Sequence, residues 1–415
     1  MRKVVEALVP ARLGAGYRWL LASSWTTSLG DGIAVAAGPL LVASLTDDAF
    51  LVSLAALLRW APPLVFGLYA GVLSDRLDRR RIVMAGNGVR VVVLAALVVM
   101  LATGRVPVAG VLLALGLLAT AEVFADNTTA TLAPMLVHRD DLAVANARLQ
   151  TGFITLNQLA GPPVGAALFA AGRAWPFLAE AVLAAAGVLL VSRVVLPAHG
   201  RELAGVATSV RRDIVEGLRW TVRHPAVRTL SLTILIFNVT FGAAWSVLVL
   251  YAQQRLGLGA VGFGLLTTVA AAGGLLGTAL YGWLTRRVSL GNIMRAGLVI
   301  ETLTHLALAI TTSPWLASTI FFVFGAHAFI WGTTSITVRQ RAVPTHLQGR
   351  VNSVHMISVF GGLVAGSAVG GALATYYGIT APFWFAFIGS AVFVALLWRE
   401  LTRIAHADQQ LAPDA

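Results

Sequence analysis

Cysteine is absent from the 415 residues, which excludes a disulfide, a thiolate metal site and a cysteine nucleophile. Charge is scarce: Asp, Glu, Lys and Arg make up 12% of the chain, against roughly a quarter in a soluble domain. Lysine is almost missing, Lys3 being the only one among 30 basic residues. Long polar stretches are also wanting. The longest runs from about Pro197 to Arg228, too short for a sizeable soluble domain. No Gly-x-x-x-x-Gly-Lys loop is present, so ATP is not the expected energy source. No helix pairs metal-ligand histidines or a nucleophile with a base, so neither an enzyme, a cofactor nor a metal site is expected. The stretch from Met1 to Gly16 lacks the apolar core and small-residue cleavage site of a secretory signal. The first apolar run is therefore expected to direct insertion itself.

What the chain has instead is hydrophobic residues, 58% of the total. Apolar runs of about 20 residues recur from Leu20 to Leu397, each long enough to cross a hydrocarbon core of roughly 30 Å. Backbone polar groups in lipid must be satisfied within the segment, and alternating ten-residue strands are absent, so the runs are read as helices. Spans are expected at 18–43, 50–73, 82–103, 106–130, 144–171, 175–196, 229–252, 261–284, 291–312, 314–337, 352–376 and 381–398. The result is an all-α membrane protein of twelve transmembrane helices.

The net charge of +12 follows this topology rather than a nucleic-acid surface. Arginines gather before span 1, at Arg76, Arg79, Arg80 and Arg81 after span 2, and again after spans 4, 6, 8, 10 and 12. The intervening loops carry only Arg105, Arg173 and Arg255. The positive-inside rule then places both termini in the cytoplasm, with the chain in the cytoplasmic membrane. Within the polar stretch, Ile214, Leu218 and Val222 recur every four residues beside arginines, as in an amphipathic helix lying on the inner membrane surface.

An internal repeat supports two halves. Residues 161–168 match 366–373 at five of eight positions, an offset of 205, and Thr128-Thr129 match Thr333-Thr334 at the same offset. Gly71 and Gly282 close corresponding spans 211 apart. Two like-oriented six-span halves imply a cavity between them near the midplane. The expected domains are an N-terminal six-helix bundle over 1–196, a linker with an amphipathic helix over 197–228, a C-terminal six-helix bundle over 229–403 and a disordered cytoplasmic tail over 404–415.

After span 2 the chain reads Gly71-Val-Leu-Ser-Asp75-Arg76-Leu-Asp78-Arg79-Arg80-Arg81. This resembles the first cytoplasmic-loop motif of the major facilitator superfamily. Asp78, where most of that superfamily has glycine, resembles the drug:proton antiporter branch with the macrolide-efflux proteins and the enterobactin exporter. Leu29-Gly-Asp31-Gly, Ala145-Asn146-Ala147, and Arg339-Gln340 through Pro344 with Gly349-Arg350-Val351 resemble the same branch. The resemblance implies the major facilitator fold of two pseudo-symmetric six-helix bundles. It also implies that Gly71, Asp75, Arg76, Asp78, Arg79 and Arg80 latch the halves in the outward-facing state; topogenic charge alone is the other reading. Independently, Gly71 suits close approach to a neighbouring helix, and Asp75 suits a helix N-terminus. Gly161-Pro162-Pro163-x-Gly165 resembles the helix-bend motif of drug:proton antiporters, with Asn157 replacing its earlier glycine. Packing against a neighbour explains those residues equally well.

Charge within the spans is costly and usually functional. The acids are Asp31, Glu122, Asp126, Glu180 and Glu301, and the bases are Arg59 and Arg90. Asp31, Glu122 and Asp126 are the candidates for proton coupling and cation recognition, with neutralisation of Arg59 and Arg90 as the alternative role. Glu301, with His305 four residues on, is a second candidate proton pair. Glu180 is assigned a structural role, and His327 is matched to Glu122 by the 205 offset. Trp25, Trp245, Trp331 and Phe241 could line a cavity, and Asn157, Gln158 and Asn238 could bond a ligand or tie helices. The expected function is proton-coupled efflux of small hydrophobic or cationic compounds by alternating access. The expected partners are a small-molecule substrate, protons and the lipid bilayer, with no nucleic acid, and the expected state is a monomer. Siderophore or secondary-metabolite export, uptake by symport and a non-transporting sensor are the alternatives.

Overall fold

A computed structural model describes residues 11–196 and 210–400, without the side chains of residues 11, 75, 210, 211 and 213. Residues 197–209, the expected tail at 404–415 and the Asp75 side chain therefore lie outside the described residues. Nine described helices are long and apolar enough to cross a membrane, and two apolar helices are shorter. In chain order the elements are α1 (Gly14–Ala43), α2 (Ala49–Arg76), α3 (Arg79–Ala102), α4 (Val108–Leu136) and α5 over 142–171. They continue with α6 (Trp175–Val191), α7 (Val210–Arg223), α8 (Pro225–Trp245), α9 (Ala260–Thr285) and α10 (Leu290–Ile310). The last three are α11 (Pro314–Ala342), α12 (Gln348–Tyr377) and α13 (Ala381–Leu397). Leaving out α7, which is amphipathic, these make twelve helical passes.

The elements group into two compact units, Met1–Leu45 with Val65–Ala207, and Thr46–Leu64 with Thr208–Ala415. Residues 46–64, which the sequence assigns to the first half, thus pack with the second. The reason lies in small residues on α12. A Cβ on Gly371 would sit 2.0 Å from the Ser53 hydroxyl, and the Phe50 N–H donates to Thr375 Oγ1 at 3.1 Å.

The first unit is organised around α1, whose apolar window is two-thirds buried. It packs on α5 and α6, while α3 packs on α4 and α6. In the second unit α8 packs on α12 and α13, while α10 packs on α11 and α13. Each of these four pairings has its counterpart in the other unit, so the repeat seen in the sequence is in large part a repeat of packing; the close packing of α9 on α11 is particular to the second unit.

Glycine sets the close crossings of the repeated segments. In the first unit a Cβ on Gly161 would lie 2.4 Å from Gly32 Cα, and one on Gly165 would lie 2.3 Å from the Ile33 carbonyl oxygen. In the second, Gly366 and Gly370 stand equally close to the carbonyls of Val239 and Ala243, at 2.3 and 2.1 Å. The matched octapeptides are therefore the places where α5 meets α1 and α12 meets α8. With no lipid-excluding hydrophobic force between spans, such contacts supply dispersion at short range.

Helix α5 is not regular. A π-helical segment, Phe153–Ala160, separates Leu142–Gly152 from Gly161–Ala171. Pro162 and Pro163 carry no N–H, so the carbonyls four residues earlier lose their regular donors and the preceding turns widen. Helix α7 shows the expected amphipathicity: Leu218 and Val222 are exposed, and its opposite side docks on α12. There Gly217 admits the Arg350 carbonyl at a Cβ distance of 2.3 Å, and Arg350 pairs with Glu216 at 2.6 Å. Gly217→Leu is expected to undock α7 while leaving the spans folded; faster proteolysis confined to the α7 region would show it, and unchanged cleavage would refute it.

Candidate functional site

The site begins with a glycine-flanked acid. Gly30 and Gly32 bracket Asp31 on α1, bringing α6 and α5 to within van der Waals reach on either side. Asp31 is 5% exposed and Glu180, on α6, 2%. Between them lies Arg90 of α3, itself 2% exposed. Its guanidinium donates to Asp31 Oδ1, to Glu180 Oε1 at 3.2 Å and to Asn87 Oδ1 at 3.2 Å. The other Glu180 oxygen, Oε2, is buried with no hydrogen-bond partner. Arginine suits this position because its planar fork serves several acceptors at once, which a lysine ammonium cannot do as well.

From Asp31 the acids continue toward α4. Oxygens of Asp31, Glu122 and Asp126 lie within 4.8 Å of one another. Asp31 is buried, Glu122 half-buried and Asp126 exposed on the surface of the unit. The cluster therefore grades from the interior to an accessible carboxyl. All four acids fall within electrostatic range of Arg90, the one guanidinium among them. An all-carboxylate donor set of this size suits a hard cation or protons, but the guanidinium already bound to Asp31 weakens the case for a divalent ion.

The structure thus brings Asp31, Glu122, Asp126 and Arg90 together and adds Glu180 and Asn87, which sequence reasoning had not placed there. Glu180 is brought in by the packing of α6 on both α1 and α3, and no local sequence signal marks it. Arg59, the other expected counter-ion, does not join them. It lies in the second unit, over the Trp60 ring at 5.3 Å.

In the second unit Glu301 is 9%, His327 5% and His305 0% exposed. Glu301 pairs with His327 across helices, Oε2 to Nε2 at 3.6 Å, rather than with His305 on its own helix. The match of His327 to Glu122 also needs correction. A Cβ on Gly86 would meet Ala121 and Ala125, whereas one on Gly297 would meet His327 and Trp331. These contacts set the register at 206 between α4 and α11 and at 211 between α3 and α10, so His327 corresponds to buried Ala121, and Arg90 corresponds to Glu301.

At the arginine-rich end, Asp78 caps α3 by accepting from the Arg81 N–H at 3.2 Å. Arg79 donates to the Ser74 carbonyl at 3.0 Å and to the Thr131 carbonyl at 3.4 Å, and Arg80 donates to the Val194 carbonyl at 3.1 Å. These bonds stitch α2, α3, α4 and the end of α6 within one unit. Arg76 is exposed. Gly71 makes no close approach, since an added Cβ would meet nothing within 4 Å.

Of the remaining candidates, Trp25 donates to the Arg148 carbonyl at 3.0 Å and fastens α1 to α5. Phe241, Trp245 and Phe324 stack, with centroids 4.4 to 5.7 Å apart. Asn238 bonds back to its own helix at Ile234. Asn157 is buried where its backbone crosses Gly32.

The sequence pattern of a family described as transmembrane secretion effector matches residues 6–414. The chain belongs to this family of major facilitator transporters. As a secretion-effector family member it is a multi-pass membrane transporter. It is 28% identical over 380 residues to the multidrug efflux pump Tap of Mycolicibacterium fortuitum, covering 88% of this chain and 90% of Tap. It is 27% identical over 355 residues to the enterobactin exporter EntS of Salmonella typhimurium, covering 82% and 80%. Its fold is that of a bacterial homologue of the iron transporter ferroportin solved in the inward-facing state, with a TM-score of 0.72 at 18% identity over 92% of this chain and 98% of the other. The nucleoside transporter NupG superposes with a TM-score of 0.71 at 14% identity, over 94% and 99%.

Proposed function

We propose that this secretion-effector transporter exports small hydrophobic or cationic compounds in exchange for protons, across the cytoplasmic membrane and by alternating access. One observation carries the reading: four carboxyls, Asp31, Glu122, Asp126 and Glu180, share the single guanidinium of Arg90. Arg90 can balance one of the two acids it binds, and the remaining carboxyls need another cation. An uncompensated charge inside the bilayer is expensive, so each must hold a proton or receive a positive group from outside. Asp126, at the accessible end, is where a proton or a cationic ligand arrives; Asp31, at the buried end, is where its charge is felt by Arg90. Competition between the two for the same carboxylates couples their opposite movements.

Other features support parts of the cycle. The arginine distribution favours both termini in the cytoplasm. The bonds of Asp78, Arg79 and Arg80 make the loop end of the first unit rigid, which a latch together with Gly71, Asp75 and Arg76 requires. Gly161, Pro162, Pro163 and Gly165 join a widened helix to a tight crossing beside Asp31, and so serve both bending and packing. The chain acts as a monomer and needs no cofactor, metal or nucleic acid, and it performs no covalent chemistry. A second reading, export of a siderophore, is favoured by the relative that exports enterobactin; the acidic cluster favours a cation instead.

In proteoliposomes, addition of a lipophilic cation is expected to release protons from the wild type. Asp31→Asn and Glu122→Gln are each expected to lower coupled flux by about a hundredfold, as loss of a proton-transfer group commonly does. Retention of full proton-coupled flux in both variants would remove the mechanism.

A further inference from the structure

The second unit holds a titratable pair that the exchange cluster does not use. Position 301 on α10 is the counterpart of Arg90, but it carries an acid and faces α11. Gly297, one turn earlier, leaves room for two rings: a Cβ there would lie 2.7 Å from Trp331 Cδ1 and 3.0 Å from His327 Nδ1. In the first unit the equivalent space beside Gly86 is filled by Ala121 and Ala125. The second unit therefore spends interior volume on an imidazole and an indole where alanines suffice elsewhere.

These rings are incompletely paired. His327 Nδ1, Trp331 Nε1 and both nitrogens of His305 are buried with no hydrogen-bond partner. Buried polar groups are normally satisfied, so unpaired imidazole nitrogens beside a carboxylate point to a ligand. The site is small and enclosed by apolar rings: Phe324 stands edge-on to His327 at 5.7 Å, and Trp245 edge-on to His305 at 5.9 Å. A proton fits it.

We propose that Glu301 and His327 form a second proton-binding site, inside the C-terminal unit. With Glu301 ionised and His327 neutral, Nε2–H faces the carboxylate and Nδ1 is a bare acceptor. The pair then carries one negative charge. A proton taken on Nδ1 gives an imidazolium–carboxylate pair with no net charge, the form an apolar interior favours. The charged and titratable groups around it are few among the described residues: besides His327, α11 carries only Arg339 and Arg341, in its last turn. Besides His305, α10 supplies only Arg295, which is tied to the Trp398 carbonyl. Helix α9 offers Tyr281, bonded to Thr334. Helix α8 has only Arg228, in its first turn, and α13 has none. No arginine competes for Glu301 as Arg90 does for Asp31. Any contribution of this proton to the transport stoichiometry rests on the proton-exchange reading above; its binding does not.

The test is histidine side-chain NMR of the full chain in nanodiscs, with the His327 signal assigned by its loss in His327→Gln. The signal is expected to move with pH in the wild type and in Asp31→Asn, and to lose that movement over the same range in Glu301→Gln. A His327 signal that stays fixed with pH, or one whose titration is unaltered by Glu301→Gln, overturns the proposal. Should Glu301→Gln not assemble, Glu301→Asp withdraws the charge by one methylene and must still shift the titration; no shift overturns it equally. Loss of proton-coupled flux as a whole, with His327 still titrating, would instead count against the exchange reading alone.

Discussion

Arg90→Met is expected to leave little folded protein, with a loss of about 3–5 kcal/mol, the usual cost of deleting one partner of a buried ion pair. The guanidinium is nearly inaccessible and serves Asp31, Glu180 and Asn87 together. Removing it takes the guanidinium away from two buried carboxyls. Arg90→Lys is expected to fall between, because one ammonium cannot span three acceptors held on three helices. The informative variant removes the acids as well. Arg90→Met combined with Asp31→Asn and Glu180→Gln is expected to recover most of the lost thermal stability in detergent and none of the transport. A single Arg90→Met variant that melts with the wild type would show that the cluster does not hold the first unit together.

The second large effect concerns glycine. Gly165→Val and Gly370→Val are each expected to prevent assembly of their own unit, because a Cβ at either position would lie within 2.3 Å of a neighbouring backbone oxygen. Backbone cannot swing aside as a side chain can, so the cost exceeds the ~1–3 kcal/mol typical of overpacking. Gly71→Ala and Gly67→Ala meet open space and serve as controls. Size-exclusion profiles of the four fluorescent fusions would decide the matter. Monodisperse Gly165→Val, or aggregation of all four alike, would count against packing as the role of the octapeptide.

Much of this was legible in the sequence, for identifiable reasons. Span lengths follow from bilayer thickness, so the helices fall where hydropathy puts them. The repeat at 161–168 and 366–373 marked equivalent crossings because only glycine tolerates them. The acids Asp31, Glu122 and Asp126 stood out because charge in a span is rare. Their partner was harder to read. Glu180 is near its span's end and 90 residues from Arg90 in sequence, and only the packing of α6 on α1 and α3 brings it in. His305 was the natural partner for Glu301 by helical spacing, yet the vacancy at Gly297 offers His327 a better route across helices. A one-residue difference in offset likewise moved His327 from the register of Glu122 to that of Ala121, which no alignment of short identities resolves. The grouping of 46–64 with the second half depends on Gly371 and Thr375, contacts that hydropathy does not encode.

The opposite signs at positions 90 and 301 carry a consequence for the equivalence of the two halves. Both share one packing pattern, but one centres on a cation and the other on an anion, so they are not interchangeable parts. A tandem fusion of the first half with itself would hold two guanidinium-centred interiors and no buried imidazole opposite a carboxylate. Such a duplicate could fold twice over and still lack half of the chemistry that distinguishes this chain.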